Sequence, residues 1–456
     1  MRFEQAAQMS GGTLITPEKS ETLFSGVSID SRTVRPGELF IALRGQRSDG
    51  HAYLDQAIAA GATGVIVETE YLSQYAAVIR VLDSHEAMMH LASRYRNLTK
   101  AKYVGITGSN GKTTTKEMAH ALLSTVATDI YRSAGNLNNL YGLPLALFAM
   151  PQSTRVAIME MGISTPGEMT RLAAIIRPDI AVITSVAATH LEFLGSIEGV
   201  ARAKLELVTN SSSEVPVIIN ADDPVLVAET KKLRAAYISF GLDNPADFRP
   251  SKVSTDDAGT TLVQIEGRMF VLPLFGSHQV YNLLAAYAIS RTLGYSFDGI
   301  ETRSISFTTA PMRGQRAVRA GVTFIVDCYN ANPESVRLGL QSFEALRHYG
   351  RRVLILGDML ELGEKAETYH RELGRSLSGF RADVVALVGP LSKCTHDAAL
   401  RAGVPAKSLH HYSDSVSCAA DIHRLVKSGD LVYLKGSRGI GLERVLDAFA
   451  DSGEAN

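Results

Sequence analysis

The stretch Val104-Gly105-Ile106-Thr107-Gly108-Ser109-Asn110-Gly111-Lys112-Thr113-Thr114-Thr115 decides how the rest of the chain is read. An apolar run from Tyr103 to Ile106 delivers the chain into a loop with two glycines, and Lys-Thr-Thr follows at the start of a helical pattern. That order builds a phosphate cradle. Glycines let backbone N–H groups face an anion, and the helix N-terminus adds its positive dipole end. Lys112 supplies a point charge, and the Thr113 hydroxyl suits Mg²⁺. A glycine-rich turn with an exposed lysine is the plainer alternative, but the strand before it and the helix after it favour a nucleotide site. The spacing is unusual. The common phosphate loop has glycine six residues before the lysine, where this chain has Ile106, and the nearer glycine is Gly108. Gly108, Ser109, Asn110, Gly111, Lys112, Thr113 and Thr114 therefore form a shortened loop around the phosphates.

With 456 residues the chain exceeds what one core organises, and two or three domains are expected. Apolar residues at 45% and charged residues at 20% describe a soluble globular protein. A net charge of −1 gives no reason to expect nucleic acid or an acidic membrane surface as the main partner. Cys328, Cys394 and Cys418 are an odd set without metal-ligand spacing, which fits a reducing compartment. The N-terminus lacks the apolar core of a signal peptide, and no run approaches the ~20 apolar residues of a membrane span. A cytoplasmic location without membrane insertion is expected.

Outward from the loop, strand and helix signals alternate. Glu38–Leu43 and Gly64–Val67 read as strands with a helical pattern, Ala52–Ala60, between them, and a polar helix runs from Ser84 to about Arg96. Beyond the loop, Val156–Glu160, Ile180–Thr184 and Val217–Ile219 are short apolar strands of the βαβ kind, which implies a parallel sheet. Residues 245–275 change to hairpin character, punctuated at Asp256–Gly259 and Glu266-Gly267. A break around Thr308–Gly314 precedes a second alternation, with strands at Val322–Val326, Val353–Leu356, Val384–Val388 and Leu431–Leu434. The expected fold class is α/β in three domains: a small N-terminal α/β domain (1–82), a central P-loop parallel-sheet domain (83–311) and a C-terminal Rossmann-like domain (312–456).

Several polar residues sit where such folds bind ligands. Glu160 ends an apolar strand, so its carboxylate points into the crevice at the strand ends. A strand-terminal glutamate is more often solvated, but beside a phosphate loop it becomes a candidate for Mg²⁺. His190 lies just past another strand end, although a lone histidine is usually structural. Lys204 falls on a helical pattern whose charges would ordinarily face solvent. Asn136, Asn138 and Asn139 form an amide-rich loop that serves equally as a turn or as a source of hydrogen bonds. In the third domain Asp327-Cys-Tyr329-Asn330, Gly357–Gly363 and Lys435-Gly-Ser437-Arg438 follow equivalent strand ends and mark a binding face.

These segments, in this order and over almost the whole chain, resemble the Mur ligases, ATP-dependent amino-acid and peptide ligases of peptidoglycan synthesis. The loop Thr107–Thr114 is shared across the superfamily, folylpolyglutamate synthases included. Asp30-Ser31-Arg32, Pro36-Gly37, Gly45 and Asp49-Gly-His51 resemble the uridine-nucleotide domain, so Ser31, Arg32, Asp49 and His51 are implied substrate contacts. Gly135–Asn139, Asp327–Pro333, Leu356–Gly363 and Lys435–Arg438 resemble the branch that adds D-alanyl-D-alanine to UDP-N-acetylmuramoyl-tripeptide, with Asn138, Asn139, Lys435, Ser437 and Arg438 as further substrate contacts. The resemblance implies two Mg²⁺ sites and a monomer. Lys112 would meet the phosphates, Thr113 and Glu160 one ion, and His190 and a carbamylated Lys204 the other. Asn282, Arg313, Asp327, Tyr329 and Asn330 would line ATP. Gln279 stands where the family has asparagine, and Pro311–Arg316 departs from the family pattern, which leaves Arg313 and Arg316 as alternatives. Another Mur-type or folylpolyglutamate-type ligase, or a P-loop protein without catalysis, are the rival expectations.

Overall fold

The computed structural model describes residues 1–451 except 46, 212, 234–235, 256–259, 309 and 349. The turn expected at Asp256–Gly259, and Thr309 within the expected break, lie outside the described residues.

Three successive sheets carry the chain. The first contains β1 (Thr13–Leu14), β2 (Gly26–Ser28), β3 (Glu38–Ile41), β4 (Gly64–Val67) and β5 (Ala77–Arg80) in the order β1-β5-β4-β3-β2. Its strands are parallel except for β1, which pairs antiparallel with β5. A helix not expected from the sequence, Phe3–Ser10, packs on it with Phe3 fully buried.

The second sheet is entirely parallel. It holds β6 (Lys102–Thr107), β7 (Ile130–Arg132), β8 (Val156–Glu160), β9 (Ile180–Ile183), β10 (Val217–Asn220) and β11 (Ile238–Phe240) in the order β11-β10-β9-β6-β8-β7. Every residue of β8, β9 and β10 is buried, as expected of strands covered on both faces. Period-two alternation divides them between two cores. Val104, Ile106, Ile158 and Val182 join Met118, Leu122 and Leu283 from helices Lys112–Leu123 and Gln279–Thr292. Tyr103, Met159 and Ile183 meet Leu172 and Leu205 from helices Glu168–Ile176 and Ile197–Thr209. Because β6 is flanked by β8 on one side and β9 on the other, the chain leaves it in two directions, and the crevice at this switch point is where parallel sheets bind ligands. An antiparallel trio, β12 (Lys252–Thr255), β13 (Thr261–Ile265) and β14 (Arg268–Leu272), closes the lower core with Val263, Ile265, Phe270 and Leu272.

The third sheet contains β15 (Gln315–Arg319), β16 (Val322–Asp327), β17 (Arg352–Gly357), β18 (Val384–Val388), β19 (Leu409–Tyr412) and β20 (Leu431–Lys435) in the order β15-β16-β20-β17-β18-β19, parallel except for β15. Asp327 is in register with Lys435, and β17 ends beside them, so the three polar loops do share one edge. Apolar contact continues from the central domain into the third: the Phe275 and Tyr433 rings lie 5.6 Å apart, and Met359 and Leu362 share a core with Leu191 and Leu194.

Gly339, on the helix Pro333–Ala345, has no room for a side chain, since a Cβ there would lie 1.8 Å from Tyr433 Oη. Gly339→Ala is expected to lower the unfolding free energy in urea by about 1–3 kcal/mol through overpacking. Part of that loss should disappear in a Tyr433→Phe background, where the oxygen is gone but the ring carbon Cζ remains 2.8 Å from the added Cβ.

Candidate active site

The phosphate loop is shaped by two close approaches. Gly108 (φ 148°) faces Thr184, whose Oγ1 would lie 1.9 Å from a Cβ, and Gly111 (φ 85°) faces Asn282, whose Oδ1 would lie 2.3 Å from one. The segment after β9 holds the loop from below. Ser109 N–H donates to Ser185 O at 2.8 Å, Asn110 N–H to Ser185 Oγ at 3.1 Å, and Thr184 Oγ1 to Asn110 O at 2.5 Å. The helix Lys112–Leu123 then starts with Thr113 and Thr114 buried and its first N–H groups facing the loop, as an anion site requires. Lys112 Nζ donates to Gly108 O at 2.6 Å. Burial, strengthened by Arg313 and opposed by Glu160, brings the Lys112 ammonium down to about 8. Gln279 supports its neighbour in the site: Asn282 Nδ2 donates to Gln279 Oε1 at 2.9 Å, and Thr115 Oγ1 donates to Asn282 Oδ1 at 3.3 Å.

Glu160 is in register with Ile106, so β6 and β8 bring it beside the loop. It is 1% exposed. Asn138 Nδ2 donates to its Oε1 at 2.8 Å. Burial alone would raise the carboxyl; Lys116, Lys112, Asn138 and Arg313 together outweigh it and hold the group below its ordinary value. Its Oε2 is buried and accepts no hydrogen bond, although Lys116 Nζ lies 3.2 Å away, which leaves it able to accept a better-directed cation. Among the described residues no group of three or more His, Cys, Asp and Glu could hold a metal by itself. A divalent ion here would take Glu160 and Thr113 and complete its oxygen shell from phosphates and water.

Lys204, on the helix Ile197–Thr209, is 2% exposed. Burial, and then the like charge of Lys112, push its ammonium well below the ordinary lysine range. His190 adopts a left-handed backbone (φ 53°), and its Nδ1 lies 2.5 Å from Glu361 Oε2 of the third domain. That contact draws the Glu361 carboxyl down against the effect of burial.

The third domain reaches the same crevice. Arg313 is half-buried with its guanidinium 4.1 Å from the Tyr329 ring centroid, while Arg316 is exposed on β15, so the geometry favours Arg313. Asp327 Oδ2 accepts from Tyr433 Oη and Lys435 Nζ, both at 2.9 Å, which spends Lys435 on Asp327. Ser437 is likewise engaged: its Oγ accepts from Leu360 N–H at 3.0 Å. Asn330 accepts from Ala331 N–H at 2.9 Å, and Asn139 caps a turn by accepting from Gly142 N–H at 2.8 Å. Arg438 is exposed and pairs with Glu443 at 2.7 Å. Two further residues, from the polar loops at 327–333 and 357–363, complete the join. Asn332 Nδ2 donates to Asn110 Oδ1 at 2.8 Å, directly on the phosphate loop, and Glu361 meets His190.

In the first domain Ser31 Oγ donates to Gln56 at 3.1 Å, and Arg32 is exposed and held by Asp30 at 2.7 Å. Arg32 draws the Asp30 carboxyl down to about 2. His51 Nε2 accepts from Glu68 N–H at 2.9 Å, so its proton sits on Nδ1, 2.6 Å from Asp49 Oδ1. Ser31 and Arg32 are thus engaged by Gln56 and Asp30, and Asp49 and His51 by each other, all within the first domain.

Three family descriptions match in sequence: "Mur ligase family, catalytic domain" over 23–96, "Mur ligase middle domain" over 106–290 and "Mur ligase, glutamate ligase domain" over 312–438. A UDP-N-acetylmuramoyl-tripeptide--D-alanyl-D-alanine ligase from Bacillus subtilis is 35% identical, with 98% of this chain and 97% of that protein covered. The chain belongs to the Mur ligase family. As a Mur ligase it is an ATP-dependent peptide ligase. Its fold matches the crystal structure of MurF from Acinetobacter baumannii with a TM-score of 0.87, 27% identity and 98% of both chains covered. MurF from Thermotoga maritima in complex with ADP matches at 0.81, with 30% identity over 95% of this chain and 99% of that one. No helix among the described residues is long and apolar enough to cross a membrane.

At pH about 8.5 Lys112 in the nucleotide-free enzyme is mostly neutral, and a polyphosphate brought against it favours the ammonium. ATP binding at that pH is expected to take up protons, approaching one per site, and the uptake should fade by pH about 6.5 where Lys112 is already charged. Calorimetric titration in two buffers of different ionisation heat measures it. Uptake that does not change between the two pH values would refute the assignment.

Proposed function

We propose that this Mur ligase joins D-alanyl-D-alanine to UDP-N-acetylmuramoyl-tripeptide in the cytoplasm, using ATP and Mg²⁺. The observation that carries the reading is the convergence of Lys112, Glu160, Lys204 and Arg313 on one crevice in a chain similar over its full length to tripeptide--D-alanyl-D-alanine ligases.

A carboxylate is a poor electrophile. The terminal carboxylate of the tripeptide therefore attacks the γ-phosphorus of ATP, the bond to the β-phosphate oxygen breaks, and ADP leaves. Lys112, with the N–H groups of the loop, answers the charge that develops on the phosphoryl oxygens. The dipeptide amine then attacks the acyl phosphate carbon, loses a proton and expels inorganic phosphate. Water would hydrolyse that intermediate, so Asn332 and Glu361 of the third domain, closed against Asn110 and His190, shelter it. Mg²⁺, when bound, neutralises phosphate charge; Thr113 and Glu160 would hold one ion and His190 with Lys204 the other.

Lys204 needs conversion to serve a cation. Burial disfavours the Lys204 ammonium, and the free amine adds to CO₂ with loss of a proton to give a carbamate, an anionic oxygen ligand. Lys204→Ala is expected to abolish ligation, with partial recovery in small carboxylates; full activity without them would remove the carbamate role.

Phosphate release from ATP is expected to require both UDP-N-acetylmuramoyl-tripeptide and D-alanyl-D-alanine. Equal release with a folate acceptor or with a single amino acid would replace the proposed substrates. Arg438→Glu should raise the KM for the dipeptide, and an unchanged KM would take Arg438 out of the dipeptide site.

A further inference from the structure

Lys116 has no place in the scheme above, yet it is the most confined charge in the crevice. It lies one turn beyond Lys112 on the helix Lys112–Leu123, so the two ammonium groups share a face. Lys116 has no exposed surface. A lysine withdrawn from water to that degree must have its charge answered. Its Nζ donates to Gly135 O at 2.8 Å, lies 3.2 Å from Glu160 Oε2 and 3.7 Å from Glu117 Oε1. Glu117 is already taken by Arg132 at 2.6 Å, which leaves Glu160 as the carboxylate for Lys116.

The contacts close a ring. Gly135 opens the loop that carries Asn138, and Asn138 holds Oε1 of the same Glu160 whose Oε2 faces Lys116. Lys116 thus fixes the carboxylate and the loop that grips it. Its approach to Oε2 is near enough for an ion pair but off the line of a hydrogen bond, so Oε2 remains able to accept a better-directed partner.

We propose that Lys116 is a positioning residue that stands in for the divalent ion: it balances Glu160 in the metal-free enzyme and, tethered to Gly135, keeps Oε2 in place for Mg²⁺. The proposal rests on Glu160 as a metal ligand. Two cations then compete for one carboxylate. A bare ion must share Glu160 with Lys116, whereas an ion arriving with nucleotide brings phosphate oxygens of its own, so metal binding becomes conditional on nucleotide.

Mn²⁺ serves as the probe, titrated into the full-length enzyme without nucleotide while free ion is read by electron paramagnetic resonance. Removing a unit charge a few ångströms from the site should tighten binding, so Lys116→Met is expected to hold Mn²⁺ about tenfold more tightly than wild type or better. It should also regain with Mn²⁺ most of the Tm it loses. Wild-type or weaker affinity in the folded variant overturns the proposal, because a lysine that merely props the fold would cost stability and leave the nucleotide-free affinity unmoved. Should Lys116→Met fail to fold, Lys116→Gln keeps a donor for Gly135 without the charge and is judged by the same two outcomes. Glu160→Gln with a non-hydrolysable ATP analogue separates the underlying reading. Unchanged Mn²⁺ affinity there overturns both, while weakened affinity without a gain in the Lys116 variants overturns only the role of Lys116.

Discussion

A carboxylate sealed at the end of an apolar strand is the constraint around which the central domain is arranged. Glu160 follows four buried apolar residues on β8 and has almost no contact with water. An unanswered charge there would be costly, and removing one partner of a buried pair typically costs about 3–5 kcal/mol. Three separate segments supply the answer: the helix Lys112–Leu123 brings Lys112 and Lys116, the loop before Gly142 brings Asn138, and the entry to the third domain brings Arg313. None of these is adjacent to Glu160 in sequence. The charge balance therefore exists only when the βαβ crossover, the loop and the third domain are all in place.

The same crowding fixes the two glycines of the phosphate loop. Thr184 and Asn282 press against Gly108 and Gly111 from two sides, and both glycines hold a positive φ. A side chain at either glycine would displace Thr184, which anchors Asn110, or Asn282, which Gln279 supports. Gln279 reaches Asn282 and also donates from Nε2 to Phe275 O at 3.3 Å.

Much of this was legible because parallel strands covered on both faces must read as continuous apolar runs, and polar residues immediately after such runs fall at the ligand-binding edge. Glu160, His190 and Asp327 were found that way. Lys116 was not, because a lysine on an amphipathic helix looks solvated until the packing shows that its face is inward. Lys204 posed the same problem, and only resemblance to a family promoted it. Asn332 and Glu361 were placed in binding-edge loops, but their partners were not legible. Their partners, Asn110 and His190, lie 222 and 171 positions away in sequence, and nothing in local periodicity encodes which domain faces which. Asn139, Lys435 and Ser437 show the reverse case, polar residues in the right loops whose side chains are occupied by the fold itself.

How the third domain is held bears on catalysis. It meets the crevice through Asn332 on the phosphate loop and Glu361 on His190, and through apolar packing around Phe275, Tyr433 and Leu362. The amide pair at Asn332 and Asn110 is of the kind worth about 1 kcal/mol net, which does not by itself lock the domain shut. What distinguishes the two polar contacts is their location. Asn110 lies in the phosphate loop and His190 beyond the neighbouring strand, so anything bound between them alters the groups that the third domain grips. A ligand can shift the domain only by its different affinity for the open and closed arrangements, and side chains shared between ligand site and domain contact are a direct source of that difference. Two short polar contacts within a largely apolar join thus tie the position of the third domain to the groups that line the site.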